Sequence, residues 1–87
     1  MIDELEQYRR KVDEVDDLIL KALTERVEIC VAIGLVKKKL GRRIKDVDRE
    51  NEIYDRVKEK SVKLGLNSLR VEAVYREIVN MCSAVQE

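Results

Sequence analysis

The chain has 87 residues, of which 45% are hydrophobic, and its 18 basic and 18 acidic side chains cancel; it contains no His and no Pro. One domain (1–87) fits that length, and a monomer this small hides only about 60% of the surface its unfolded chain exposes, so oligomerisation is expected. The zero net charge excludes a global field for nucleic acid or membrane, and the lack of His with two distant Cys excludes zinc spacing and a Cys/His nucleophile pair.

Every third and fourth residue from Leu5 forms a heptad seam: Leu5, Tyr8, Val12, Val15, Ile19, Ala22, Arg26, Ile29, Ile33, Val36 and Leu40. Only Arg26 breaks its apolar character. The spacing predicts a first helix over about 3–39, roughly 55 Å long and too long to fold back on so small a monomer. Its second half is apolar on nearly every side, so neighbours should surround it. Gly34 costs about 1 kcal/mol in mid-helix, which implies close approach of another backbone or a ligand.

Gly41 is the expected stop, and Asp46 or Asp48 caps a second helix over about 47–64, with Ile53, Tyr54, Val57, Ser61 and Leu64 on one face. After Gly65, Asn67 or Ser68 caps a third over about 68–86, striped by Val71, Val74, Tyr75, Ile78, Val79, Cys82 and Val85. Isolated glycines rule out phosphate-loop and dinucleotide fingerprints. Cys30 and Cys82, each in an apolar helical pattern, read as reduced, semi-buried residues. The expected fold is all-α: one long and two shorter helices per chain, with long helices pairing across a two-fold axis. No run reaches the roughly 18 apolar residues that span a bilayer and no signal-peptide pattern opens the chain, so no membrane partner and a cytoplasmic location are expected.

Several charges depart from this pattern. Arg26 and Lys37 are 11 residues apart, nearly three turns, and project from one face about 16 Å apart along the axis. They either converge on a small anion, or Arg26 pairs with a carboxylate such as Glu25, Glu28 or one on another helix. Arg9 is about 26 Å from Arg26, so one chain cannot bring both to one metabolite. It is either solvated surface or, with antiparallel first helices, a visitor to the second chain's Arg26–Lys37 region. Six basic residues between Lys37 and Lys45 either complement the helix dipole or attract an anion. At the start of the second helix, Glu50 can hold a hydroxyl or simply favour the N-terminus. Gln86, one turn after Cys82, either points inward as a neutral donor or frays with the chain end.

Taken together, R9-x-K11-V12, E25-R26, G34-x-x-K37, D46-x-D48-R49-E50 and C82-x-x-x-Q86 resemble the AroQ class of chorismate mutases over nearly the whole chain. The resemblance implies an intertwined homodimer that converts chorismate to prephenate on the path to phenylalanine and tyrosine, with no cofactor, no metal and no covalent intermediate. It implies that Arg26 and, from the other subunit, Arg9 clamp the two substrate carboxylates, with guanidinium as the bidentate partner. Lys37 resembles the cation at the ether oxygen and Gln86 the neutral donor on its other side. Asp46, through its backbone, and Glu50 match positions that hold the ring hydroxyl, and Arg49 a supporting basic position. Cys82 stands where some relatives carry a Ser that binds a carboxylate; a thiol donates weakly, so this contact weakens.

Two other readings fit parts of the chain. An isochorismate pyruvate-lyase on the same fold binds a near-identical dianion, and the full acidic and hydroxyl-binding set favours the mutase over it. A non-catalytic helical dimer using KKKLGRRIK to bind nucleic acid or protein leaves Arg26 unexplained. That segment also lacks the aromatic platforms on which bases stack, so no nucleic-acid partner is expected.

Overall fold

The computed structural model describes residues 3–87, which form three helices, α1 (Glu4–Lys39), α2 (Val47–Lys63) and α3 (Ser68–Ala84). Each starts on a side chain that accepts from an otherwise unpartnered backbone N–H. Asp3 accepts from Leu5, Asp46 from Arg49 and Asn67 from Arg70, at 3.0–3.1 Å. Of the paired candidates for the second and third caps, Asp46 and Asn67 are therefore the ones used. Glu4 and Glu6 in the first turn of α1 and Lys37 to Lys39 in its last complement the helix dipole.

The stops of α1 and α2 are two copies of one device. Gly41 (φ 65°) and Gly65 (φ 74°) take the left-handed conformation beyond the caps Leu40 and Leu64. The next N–H then turns back: Arg42 donates to the Lys37 carbonyl and Leu66 to the Ser61 carbonyl, each at 2.9 Å. α3 has no such glycine. It ends at Ala84, two residues before the expected limit, yet the chain keeps turning, with the Gln86 N–H donating to the Ser83 carbonyl at 3.1 Å.

Helix α3 packs against both other helices. Ile53, Tyr54 and Val57 of α2 close on Val79 of α3, with Val71 and Tyr75 against them. Across this pair Lys58 meets Glu72 at 3.7 Å, and Arg76, itself held by Glu72 at 3.0 Å, lies 4.3 Å over the Tyr54 ring. Buried Ser61 is satisfied by donating to the Val57 carbonyl. Three positions expected on the core stripes are exposed: Leu64 and Val85 serve as the caps of α2 and α3, and Val74 projects from the outer side of α3.

α1 reaches α3 only through its second half, where Cys30 and Gly34 are buried. From residue 3 to residue 22 every position is exposed, and the seam residues Leu5, Tyr8, Val12, Val15 and Ile19 each leave more than half their area open. A single chain thus measures 61 × 25 × 15 Å, with half of α1 standing clear. Among the described residues no helix is long and apolar enough to cross a membrane.

Candidate active site

Where α1 meets α3, the two backbones come unusually close. A Cβ on Gly34 would lie 2.9 Å from the Gln86 Cα, nearer than real Cβ atoms come, so only glycine admits the tail of α3 at this depth. That is the close approach the mid-helix glycine predicts, and its consequence is positional. Gln86, beyond the helix end, is pressed against α1, where its Oε1 accepts from Lys37 Nζ at 2.9 Å. Lys37 also donates to the Ile44 carbonyl in the α1–α2 connection, and Gln86 Nε2 donates to the Cys82 carbonyl at 3.3 Å. One ammonium therefore ties together a helix, a loop and a chain end.

These groups line a cleft of about 440 Å³ between the second half of α1, the start of α2 and the end of α3, a size typical of small-molecule sites. Arg26 and Lys37 enter from α1, as their three-turn spacing requires. Asp46, Arg49 and Glu50 enter from the first turn of α2, and Cys82 and Gln86 from α3. Seven of the eight expected site residues thus share one cavity, with Ile29, Ile33, Ile53 and Val79 as apolar walls. Of the six basic residues from 37 to 45, only Lys37 is drawn inward to partial burial; the rest are exposed.

Arg26 is half-buried and, among the described residues, has no carboxylate within ion-pair distance. Its one side-chain contact is Nη1 to the Cys30 sulfur at 3.8 Å, a weak acceptor that leaves most of the guanidinium fork free for an anion. Burial pushes the Cys30 thiol above its ordinary value of 9.0, and the adjoining Cys82 adds to the rise; the charges of Arg26 and Lys37 oppose it without prevailing. Both cysteines are free and buried. Cys30 is therefore a neutral thiol at physiological pH, not a nucleophile.

On the α2 side, the Asp46 carboxylate is engaged with the Arg49 N–H at 3.0 Å, and its carbonyl accepts from the Glu50 N–H at 3.0 Å. Arg49 reaches Glu52 at 3.2 Å on the exposed side. Glu50, half-buried and free of ion pairs among the described residues, faces the cleft as an acceptor. No three His, Cys, Asp or Glu side chains converge as metal ligands among the described residues.

Arg9 is the exception. It is exposed, pairs with Glu6 at 3.0 Å, and does not line the cleft of its own chain. Two participants carried no expectation from the sequence: the Ile44 carbonyl, a backbone group without a residue-type signal, and Arg56, which lines the cleft one turn beyond Ile53.

The chain is 41% identical over 58 residues to the chorismate mutase of Methanocaldococcus jannaschii, a match covering 67% of this chain and 59% of that protein. It is 29% identical, over 99% of its length, to the bifunctional chorismate mutase/prephenate dehydratase of Aquifex aeolicus, of which the match covers 25%. The chain thus spans under two thirds of either curated relative. Its structure superposes on a conserved hypothetical protein from Pyrococcus furiosus with a TM-score of 0.77 at 28% identity, over the whole of both chains. Residues 8–87 match chorismate mutase type II, and the chain belongs to that family.

Proposed function

We propose that this chain is a chorismate mutase acting as a homodimer, each of whose two sites borrows Arg9 from the partner. The observation that carries the reading is the cleft in which Arg26, held only by a weak contact to the Cys30 sulfur, offers most of its guanidinium fork to an anion while Lys37 and Gln86 are fixed side by side. The rearrangement is intramolecular: a C–O ether bond breaks as a C–C bond forms, and no proton enters or leaves. The protein must therefore hold a compact conformer and stabilise negative charge growing on the ether oxygen.

Each group has a part in that task. Arg26 binds one carboxylate through its fork, with Arg9 of the second copy on the other. Lys37 has three N–H donors; the Ile44 carbonyl and Gln86 engage two, and the third serves the ether oxygen. The Gln86 amide, beside Lys37, supplies a second, neutral N–H to the same oxygen. Glu50 and the Asp46 backbone hold the ring hydroxyl, Arg49 supports them, Cys82 packs beneath a carboxylate, and the isoleucine walls exclude water.

Surface area supports the second copy. The 10.2-kDa chain exposes 7465 Å², whereas a compact monomer of that mass exposes about 5,300 Å². The excess, roughly 2,000 Å² per chain, is of the order that obligate dimers bury. The apolar seam of α1 contributes to it, with Leu5, Tyr8, Val12, Val15 and Ile19 each more than half exposed.

The test is to incubate the purified protein with chorismate, follow the loss of its ultraviolet absorbance and identify the product, with Arg26→Ala alongside. The parent should form prephenate, and the variant should lose about 100-fold or more in kcat/KM, the scale for removing a charged clamp, while keeping its helical circular dichroism. No turnover by the parent, or equal turnover by the variant, rejects the proposal.

A further inference from the structure

Three guanidiniums line the cleft: Arg26, Arg49 and Arg56. Arg49 is engaged with Glu52. Arg26 is half-buried beside Cys30. Arg56 is exposed, and among the described residues no carboxylate lies within ion-pair distance of it. It follows Arg49 by seven residues, two turns, so the two share one edge of α2. Ile53 and Val57 beside it are buried in the α2–α3 core and fix that edge against the rest of the molecule. The result is a long, exposed and unpaired cation at the edge of a cleft whose lining already holds Arg26 and Lys37.

We propose that Arg56 is a substrate-capture residue: it binds one carboxylate of an incoming small dicarboxylate dianion at the mouth of the cleft and delivers the dianion to Arg26. The inference rests on the mutase reading for the identity of the dianion. Its physical basis is that an exposed, unpaired charge beside a low-dielectric cleft raises the local concentration of counter-charged ligand, and that this attraction is screened by salt. Arg56 acts on encounter and binding. The rearrangement itself is left to the groups around the ether oxygen, so kcat and KM should separate.

The experiment compares the parent with Arg56→Gln, Arg56→Lys and Arg70→Gln, the last removing an equal charge from an exposed position on α3 outside the cleft. Steady-state kinetics with chorismate are measured from low to high ionic strength, and prephenate, the product dicarboxylate, is titrated by calorimetry. Arg56→Gln should raise KM and the prephenate Kd about fivefold at low salt, as expected for one partly solvated charge contact. Its kcat should stay within about twofold of the parent, and its kcat/KM should depend less steeply on salt. Arg56→Lys should recover most of the loss, and Arg70→Gln should behave as the parent. A parental KM, Kd and salt slope in Arg56→Gln, or an equal change in Arg70→Gln, overturns the inference. If the parent binds prephenate but turns over no chorismate, the mutase reading fails and the Kd series alone judges Arg56. If the parent binds neither dicarboxylate, both fail.

Discussion

Gln86 shows how one uncharged side chain constrains the chemistry. Its amide accepts from Lys37, and in the proposed site its second N–H serves a substrate oxygen; an amide can do both at any pH because it does not titrate. In Gln86→Glu the new carboxyl faces the Lys37 ammonium, which favours the ionised form and holds its pKa at or below the ordinary value of about 4.3. Only the protonated carboxyl can donate, so activity should be present in acid and fall about tenfold per pH unit once the group ionises. A pH–rate profile from pH 4 to 8 checks this against the nearly flat parent, and superimposable profiles would remove Gln86 from its role. The spacing from Cys82 located this residue correctly although it lies outside the helix, because the terminal turn preserves helical direction. Arg56 gave no such signal: in a helix as charged as α2 a guanidinium at the edge of the inner face looks like any solvated one.

At the level of helices, the crossing of α1 over α3 depends on Gly34. Adding a methyl there gains about 1 kcal/mol of helix propensity and sets it against an overpacking cost of about 1–3 kcal/mol. The obstructing atoms are the Gln86 backbone and Cβ, not the end of a flexible side chain, so relief requires the tail of α3 to move. Gly34→Ala should therefore lower Tm by between zero and about 10 °C yet reduce kcat more than about tenfold, as sub-ångström placement of Gln86 and Lys37 is lost. A thermal melt and an assay on the same sample decide; parental activity would deny that this crossing positions the site. Capping side chains and stop glycines made the helices legible to within two residues, and the miss fell on α3, which has no stop glycine. Less legible was which face of α1 turns to α3. Its second half is apolar nearly all round, so the exposed Ile29, Ile33 and Val36 series and the buried Cys30–Gly34 line satisfy the same periodicity.

For the molecule as a whole, the open question is what covers the first half of α1, and Arg9 lets the proposed answer be tested functionally. Arg9 and Arg26 are about 26 Å apart along one rigid helix, so in a shared site they must come from different chains. The protein should sediment at twice its 10.2-kDa chain mass, and Arg9→Ala and Arg26→Ala should each be nearly inactive as homodimers. Co-refolding the two variants in equal amounts makes half the dimers mixed. In a mixed dimer one site receives both substitutions and the other receives neither, because the Arg26 of one chain faces the Arg9 of its partner. Activity should then return to about a quarter of the parent value, as the two-fold pairing of distinct chains dictates. A site completed within one chain predicts no recovery at any mixing ratio, since every chain carries one lesion; a fully active species sedimenting as a monomer would likewise exclude the shared site.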